Sequence, residues 1–573
     1  MVSLGGEVTV QALKKALVRS SASAGVSGSY RIIATPKAVE ITAADAAGGF
    51  YAQKTIAQIV RQLGPDGVVS GFEIDDRPEF ACRGLSLDVS RDRVPTMEEL
   101  KSYIDLLATW KINHLQLYVE HTFAYRDHEV VWRDASPFTA DEIRELDAFC
   151  RERFIELVPM QNSLGHLLRW LCHEPYRRLA ECPNGFHTGW SMSDSDPFSL
   201  CPTDERSLEF IESLLDELLP NFSSTLFSGG CDETADIGLG GSREACEKVG
   251  RGRVYLDYVR RLNDLVNRKY GRRLMIYGDI IKLHPELFAD FPRNILVEEW
   301  GYGADYPFRE NGRRLAEAGI EFCFLTSDSG YSSCSGRTYR WLANIRNAAF
   351  AGMETGAHGL INTEWGDNGH WNTWSSALPG MVYAAAMGWA PRENEKIDIG
   401  ALLDDFIYVP GSGAGDLLVD LGRVYSHISA VDNSDVLYQL IHKGSLTREE
   451  PLLANFSAAG LDEIGRDLES LGHRLDRLPE LAPRLRDELE VMLEFHRFAL
   501  HCGLLYEQST APTVRELPAA AKAELAPQFA ALIRRMVEIR DRRFRPGGRE
   551  AAIFWLRRWW DNVCGEAHAF PAL

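Results

Sequence analysis

Two adjacent carboxylates, Asp232 and Glu233, stand where an apolar stretch of the chain stops. Residues 224–227 have the composition of a short buried strand, and Gly229 and Gly230 allow a sharp turn or the close approach of a ligand. Because side chains alternate along a strand, both acids can enter one pocket only where the strand has ended. Two such acids in unequal surroundings are expected to differ in protonation, which suits acid/base chemistry on a sugar. The alternative is a turn with solvated acids.

The composition limits the classes of function. A chain of 573 residues exceeds one ordinary core, so two or three domains are expected. The formal net charge of −20 argues against a nucleic-acid-binding surface, which needs clustered Lys and Arg. The 11 cysteines are scattered and form no C-x-x-C pair, so neither a disulfide framework nor a zinc ribbon is predicted. The first thirty residues lack the layout of a signal peptide and no apolar run could cross a bilayer, which predicts a cytoplasmic protein without a membrane partner.

Eight short apolar segments after residue 82 follow one another like the strands of a barrel. Amphipathic stretches separate most of them, and residues 96–99 and 139–142 have the pattern of capping boxes that open two helices. Eight β-then-α units predict an α/β fold with a (β/α)8, or TIM, barrel. The predicted strands are 83–89, 113–119, 154–160, 224–230, 273–279, 295–300, 321–327 and 359–365.

Polar and aromatic residues collect at the carboxyl ends of these predicted strands. Nearly every enzyme on this fold works at that rim, so the convergence of such residues predicts a site there. In chain order the residues are Asp88, Arg91, Glu120, His121, Gln161, Asn162, His166, Asp232, Glu233, Tyr277, Asp279, Glu299, Trp300, Glu364, Trp365 and Asp367.

The barrel divides the chain into three predicted parts. Residues 1–80 are predicted to form a small α/β domain, residues 81–394 the catalytic barrel, and residues 395–573 an α-helical C-terminal region. Whether that region caps the barrel, forms a dimer surface or contributes to the site is left open. Its arginine-rich stretch, residues 534–549, is predicted to be one face of a solvated helix followed by a Pro-Gly-Gly turn, with little functional weight.

Several motifs resemble those of family 20 glycoside hydrolases, the β-N-acetylhexosaminidases, and occur in that family's order. Residues 49–59 look like the end of its small N-terminal domain, and residues 83–88 like its first barrel strand. Gly165-His166 is similar to the Gly-His after its third strand. Residues 230–233 resemble its Gly-Gly-Asp-Glu, and residues 365–367 resemble its Trp-x-Glu.

Three positions depart from the family pattern and indicate a divergent branch. Cys231 replaces the second glycine, Asp367 is one methylene shorter than the usual Glu, and Glu120 stands near where an Asp is usual. These departures concern the substrate preference more than the type of reaction.

The resemblance implies substrate-assisted hydrolysis, an exception among retaining glycosidases. Glu233 would be the general acid that protonates the glycosidic oxygen. The carbonyl oxygen of the substrate's own 2-acetamido group would be the nucleophile and close an oxazolinium ring, while Asp232 would accept the acetamido N–H. Water activated by Glu233 would then open the ring with net retention. These roles require Glu233 to be protonated and Asp232 to be ionised near neutral pH.

The resemblance also implies roles around the sugar. His166 and Glu120 would form a relay behind Glu233, and the alternative for His166 is a structural histidine. Arg83 would bind hydroxyls O3 and O4 through its planar fork, and the alternative is a buried salt bridge with a barrel carboxylate. Asp367 would bind O4 or O6.

Aromatic residues would complete the pocket. Trp300 and Trp365 would form an apolar wall against the sugar ring and the acetamido methyl. Tyr331 would hold the acetamido oxygen, with Tyr277 as the rival. The implied partner is a small glycan or glycoside with a terminal β-linked GlcNAc or GalNAc, and the chain would be a monomer or a homodimer.

No cofactor or bound metal is expected. His114, Glu120, His121 and His166 could be imagined as ligands, but they lack the H-E-x-x-H spacing of a metal hydrolase.

Two other functions remain open at this point. One is a conventional two-carboxylate retaining β-glycosidase with Glu233 as acid/base and Glu299 or Glu364 as nucleophile. The other is a sugar-binding barrel that has lost turnover.

Overall fold

The computed structural model describes residues 2–20, 25–187, 195–429, 435–566 and 568–573. A small mixed sheet comes first, an eight-stranded barrel follows, and helices complete the chain. This order agrees with the predicted fold class.

The first part is a five-stranded sheet with the strand order β1-β5-β3-β4-β2. Buried and exposed residues alternate along β3 and β4, so one face of the sheet packs under α2, which Asp45 caps by accepting from the Gly48 N–H at 2.7 Å. Two of its strands precede residue 30. The elements are β1 Val2–Thr9, α1 Val10–Lys14, β2 Leu17–Ser20, β3 Tyr30–Ala34, β4 Val39–Ala43, α2 Ala46–Leu63 and β5 Val68–Asp76.

The barrel has eight parallel strands in the order β8-β7-β6-β13-β12-β11-β10-β9. It closes between its third and fourth strands, where Met160 pairs with Ser228 and the Ser228 N–H donates to the Pro159 carbonyl at 3.0 Å. The eight-stranded barrel expected from the sequence is confirmed. Its strands are β6 Cys82–Asp88, β7 His114–Tyr118, β8 Glu156–Val158, β9 Leu226–Ser228, β10 Arg273–Tyr277, β11 Leu296–Trp300, β12 Glu321–Ser327 and β13 Gly359–Glu364.

Helices cover the outside of the barrel, and most strand residues are therefore buried on both faces. Long connections such as those after β7, β8 and β9 carry additional short helices. The helices are α3 Met97–Thr109, α4 Glu129–Trp132, α5 Ala140–Arg151, α6 Leu168–Leu171, α7 Glu174–Arg177, α8 Glu205–Leu218, α9 Arg243–Val249, α10 Arg251–Tyr270, α11 Phe308–Glu317, α12 Thr338–Thr355 and α13 Trp374–Trp389.

The two predicted capping boxes differ. At α5 the box is complete, since Thr139 and Glu142 each accept from the other's backbone N–H. At α3 only the Thr96 half forms, because the Glu99 carboxylate instead pairs with Arg543 at 2.6 Å. A contact with the C-terminal helices has replaced the local one.

The remainder of the chain is helical, as the periodicity predicts. No helix of the described residues is long and apolar enough to cross a bilayer. The helices are α14 Pro391–Asn394, α15 Ile399–Phe406, α16 Ala414–Leu421, α17 Val436–Lys443, α18 Ala458–Arg477, α19 Pro483–Gln508, α20 Ala519–Asp541 and α21 Arg549–Val563.

Candidate active site

A cleft of about 330 Å³ opens at the carboxyl ends of the barrel strands. Ten residues were given catalytic or sugar-binding roles by the resemblance, and eight of them line the cleft; the exceptions are Arg83 and Glu120. The cleft therefore lies at the predicted rim. Its lining side chains are Arg91, Tyr118, His166, Asp232, Glu233, Tyr277, Trp300, Tyr302, Tyr331, Trp365 and Asp367.

The backbone after β9 turns in a way that brings both adjacent acids to the cleft. Gly230, Cys231 and Glu233 have positive φ angles of 62°, 69° and 50°, so the strand alternation is broken at the acids. The Cys231 carbonyl accepts from the Tyr255 hydroxyl at 3.1 Å, and the Glu233 N–H donates to Asp279 Oδ2 at 2.9 Å. The barrel thus fixes the turn from both sides.

The position of the Cys231 side chain shows why a cysteine is tolerated where the family has a glycine. Its side chain is fully buried in the core that includes Tyr255 and Tyr258, and burial raises the pKa of its thiol. It does not line the cleft that Asp232 and Glu233 share. The substitution therefore changes packing behind the turn and leaves the two acids in place.

His166 joins the two acids. Its Nε2 lies 3.3 Å from Asp232 Oδ2 and 3.2 Å from Glu233 Oε2, and its Nδ1 lies 3.7 Å from Glu120 Oε1. Gly165 permits this approach, because a Cβ there would lie 2.3 Å from the Asp232 carbonyl oxygen. The three side chains therefore follow one another in the order Glu120, His166, Glu233 that the predicted relay requires, with an ion-pair distance and not a hydrogen bond between Glu120 and His166.

The protonation of Glu233 and His166 differs from what the sequence analysis expected. Burial raises the pKa of Glu233, but hydrogen bonding and charge from His166, with a contribution from Arg91, outweigh it and leave this pKa below its ordinary value. Burial lowers the pKa of His166, but its charge and hydrogen-bond interactions with Asp232 and Glu233 raise it well above its ordinary value. The expectation of a protonated Glu233 is therefore wrong for the unliganded site, where the proton lies on His166.

Asp279 is another acid that lies beside Asp232 and Glu233. Burial and the charge of Asp232 raise its pKa to about 7. It accepts from the Glu233 N–H and, at 3.4 Å, from Trp300 Nε1. Its position at a strand's carboxyl end was visible in the sequence, but its support of the acidic turn was not.

Arg91 is the arginine of the cleft. Its guanidinium lies 3.2 Å from Glu120 Oε1 and 3.5 Å from Asp88 Oδ2, and it sits over the Tyr118 ring at 4.6 Å. Its buried Nη1 makes no hydrogen bond to any described residue. This arginine can donate to a ligand, and Glu120 holds it in addition to facing His166.

Arg83 lies elsewhere, and the prediction that it binds the sugar is wrong. It stands near the amino end of β6, opposite the rim, where it donates to the carbonyls of Lys111 at 3.0 Å and Phe80 at 2.8 Å. Its guanidinium lies 5.0 Å from the Trp389 ring centre. The alternative of a salt bridge is not found either, because its acceptors are backbone carbonyls and the Tyr51 hydroxyl.

Aromatic rings form the remaining wall. Trp300 stacks on Tyr302 with ring centres 5.2 Å apart, and Trp365 Nε1 donates to the Tyr302 hydroxyl at 2.8 Å. Tyr331 lies 6.0 Å from Tyr302, and Tyr118 lies edge-on to Trp365 at 4.7 Å. Sequence reasoning missed Tyr302 and Tyr118, although Tyr118 ends β7 and Tyr302 follows Trp300 by two residues.

The comparisons with known proteins agree with this geometry. Residues 80–349 match the family model described as the catalytic domain of glycosyl hydrolase family 20. They form a family 20 catalytic domain. A β-hexosaminidase of Porphyromonas gingivalis is 25% identical over 284 residues, which cover 44% of this chain and 36% of that protein. A β-N-acetylhexosaminidase of Cellulomonas fimi is 40% identical over 101 residues, or 17% of this chain and 20% of that protein. The chain thus matches less than half the length of these relatives.

A solved structure resembles the chain beyond the family 20 domain. The Flavobacterium johnsoniae chitobiase has a TM-score of 0.56 and 17% sequence identity, and the match covers 92% of this chain and 88% of that one. At this identity the likeness shows the fold alone.

The two rival nucleophiles, Glu299 and Glu364, are turned away from the cleft. Glu299 accepts from the Tyr306 hydroxyl at 2.6 Å and from Asn311 Nδ2 at 2.7 Å. Glu364 pairs with Arg93 at 2.9 Å and with His370 at 3.1 Å. Both carboxylates are buried, and neither lines the cleft.

One group of the family 20 domain could hold a metal ion. Among the described residues, His166, Asp232 and Glu233 are the three whose ligand atoms all lie within 4.8 Å of one another. A metal ion would have to displace the proton that the neighbouring carboxylates favour on His166, because a ligating imidazole is neutral. The arrangement therefore suits proton transfer better than metal binding.

Proposed function

We propose that this chain is an exo-acting retaining β-N-acetylhexosaminidase that releases terminal β-linked GlcNAc or GalNAc by substrate-assisted catalysis. The observation that carries the proposal is the grouping of Asp232, Glu233 and His166 in one cleft from which Glu299 and Glu364 are turned away. Neither of the two carboxylates considered as a protein nucleophile can therefore reach the sugar. The names of the relatives support the same activity.

The first step divides the work between the two acids. Glu233 gives a proton to the glycosidic oxygen as the bond from C1 to that oxygen breaks, and the acetamido carbonyl oxygen bonds to C1 from the opposite face. Asp232 accepts the acetamido N–H and stabilises the positive charge of the oxazolinium ring. Asp232 Oδ1 is buried and makes no hydrogen bond to a described residue, so it is available for that N–H.

His166 supplies the proton that the first step consumes. It holds a proton 3.2 Å from Glu233, and Glu233 receives it as a sugar covers the pair and removes water from the carboxylate. Glu120, on the other ring nitrogen, steadies the imidazole. In the second step Glu233 takes a proton from water, which adds to C1 and opens the ring, so the configuration at C1 is retained.

Arg91 and Asp367 bind the sugar hydroxyls. Arg91 takes the role that the resemblance assigned to Arg83, since it lines the cleft and its Nη1, 3.5 Å from Asp88 Oδ2, makes no hydrogen bond to a described residue. Asp367 lines the same cleft and accepts from O4 or O6.

The rings of the cleft enclose the apolar parts of the sugar. Trp300 and Trp365 pack against the sugar ring and the acetamido methyl, and Tyr331 donates to the acetamido oxygen. Tyr277, also in the lining, is the rival donor.

Two substitutions test the assignment. Glu233→Gln removes the general acid and should lower kcat on an unactivated disaccharide by about a hundredfold or more, while substrate binding persists. Asp232→Asn should also be severely impaired on acetamido substrates, because the amide no longer offsets the charge of the ring. Asp264→Asn, on the exposed surface of α10, is the matched control and should behave as wild type. Near-normal hydrolysis by Glu233→Gln would refute the proposed function.

A further inference from the structure

The loop that carries Arg91 is held by the C-terminal helices. The Asp92 carbonyl accepts from Arg540 at 2.7 Å, and the Val94 carbonyl accepts from the Arg545 N–H at 2.8 Å. The Thr96 N–H donates to the Arg543 carbonyl at 3.1 Å. The end of α20 and the segment that follows it therefore form hydrogen bonds with the backbone of the Arg91 loop, although the two are more than 400 residues apart in the sequence.

The loop that carries Asp367 is held by the same part of the chain. Trp371 Nε1 donates to the Ala552 carbonyl, on α21, at 3.0 Å. Gly369 packs so closely that a Cβ there would lie 2.9 Å from the Trp555 ring and 3.2 Å from Ala552 Cα. The loop between β13 and α13 thus rests directly on α21.

Both loops follow an unusual backbone path. Asp92 has a φ of 62°, and residues 367–370 have four successive positive φ angles of 43°, 21°, 83° and 55°. Such conformations persist only where the surroundings over-determine them. In both loops a large part of those surroundings is the C-terminal segment 540–555.

The arginines of this segment are structural parts of the contact. Arg540 and Arg543 are only 4% and 9% exposed, so the expectation of a solvated helix face is wrong for them. The Phe544 ring lies 4.4 Å from the guanidinium of Arg93, which donates to the His370 carbonyl at 3.2 Å. Arg93 thereby connects the two loops beneath the site.

We propose that the segment 540–555 is a clamp that positions Arg91 and Asp367 against the substrate's hydroxyls, and so sets sugar binding separately from the chemical step. The inference rests on the proposed function, because it takes these two residues as the readers of the sugar. The acids are held differently: their turn is fixed by Tyr255, Asp279 and His166, all within the barrel. A loosened clamp should therefore affect binding more than turnover.

Gly369→Ala tests the clamp at its contact with α21. Gly356→Ala is the matched control, because Gly356 has a similar φ of 74° but nothing within 4 Å of its Cβ position. Both variants place a Cβ at a positive φ, and only Gly369→Ala also brings that Cβ against α21. We expect Gly369→Ala to raise KM for an acetamido glycoside, and Kd for GlcNAc by calorimetry, by about tenfold or more while kcat stays close to wild type. Gly356→Ala should leave both constants unchanged.

Arg540 provides an independent test at the other loop. Arg540→Met removes the donor to the Asp92 carbonyl, and Arg540→Lys restores a single donor. Arg448→Met is the control, since Arg448 also donates to backbone carbonyls but within the C-terminal helices. We expect the Met variant at position 540 to raise KM, the Lys variant to recover part of the loss, and the control to have no effect on KM.

Hydrogen exchange separates this inference from the proposed function. In Gly369→Ala the amides of residues 365–373 should exchange faster, and those of residues 226–236 should exchange as in wild type, whatever reaction the chain catalyses. An inactive wild-type protein in which Gly369→Ala shows this exchange pattern and also weakens GlcNAc binding would refute the proposed reaction and still support the clamp. Wild-type KM and wild-type exchange in both Gly369→Ala and Arg540→Met would overturn the clamp.

Discussion

Replacing His166 with asparagine tests where the catalytic proton is held. The variant keeps a polar side chain but removes the cation that lies 3.2 Å from Glu233 and 3.3 Å from Asp232. Between the lowered pKa of Glu233 and the raised pKa of His166, the pair holds one proton. The alkaline limb of kcat/KM in the wild type therefore reports the loss of that shared proton from the pair.

The magnitude follows from the contacts that are lost. The contact between His166 Nε2 and Glu233 Oε2 is an ion pair at 3.2 Å, and 36% of the Glu233 side chain is exposed. Solvent screening limits the contribution of such a pair to about 1 kcal/mol. That energy corresponds to roughly a fivefold loss of kcat/KM at the optimal pH. Without His166 the only remaining proton is that of Glu233, so the alkaline limb should also move to lower pH.

The assay is the pH profile of kcat/KM on a chromogenic acetamido glycoside. His358→Asn is the matched control, since His358 is half-exposed and pairs with Glu321 at 3.0 Å, away from the cleft. The control should reproduce the wild-type profile. If His166→Asn kept both the rate and the alkaline limb of the wild type, His166 would not hold the proton and the relay would be wrong.

Two further predictions concern residues outside the acid pair. Arg83→Met should lower the free energy of unfolding by about 3 kcal/mol, because two buried carbonyls lose their donor, yet leave KM unchanged; an increase in KM with unchanged stability would restore the sugar-binding role. Asp279 has a folded-state pKa of about 7 against an ordinary 3.8, so its burial should destabilise the wild type progressively by about 4 kcal/mol as the pH rises from about 4 to about 7. Asp279→Asn should lose that decline in denaturation curves at successive pH values, and an unchanged pH dependence would contradict the raised pKa.

The barrel and most of its rim could be predicted because their signals are local. Each strand is a short apolar run, and side chains that follow such a run must gather at one end of a parallel barrel. This rule located Asp232, Glu233, Trp300 and Trp365 in the cleft. It needs no knowledge of which strands are neighbours.

Arg83 shows how the same rule was misapplied. Arg83 is near the start of its strand, so it lies at the amino end, whereas Arg91 follows the strand and lies at the rim. Both positions were visible in the sequence. The resemblance of residues 83–88 to a family motif drew the sugar-binding role to the wrong arginine.

Other features depend on distant partners and leave no local signal. The stretch 534–549 has the composition of a charged surface, but Arg540 donates to the Asp92 carbonyl and Arg545 to the Pro95 carbonyl, both more than 400 residues away in the sequence. Likewise Glu99 fits a capping box until Arg543 is placed beside it. The direction in which the pKa of Glu233 shifts could not be predicted either, because it depends on the distance to His166.

The most direct measurement compares two chromogenic β-glycosides that differ only in the 2-acetamido group, with a thiazoline mimic of the oxazolinium ring as inhibitor. Substrate assistance predicts cleavage of the acetamido sugar alone and tight inhibition by the thiazoline. Cleavage of the plain glycoside without thiazoline inhibition would contradict the account and require a protein nucleophile.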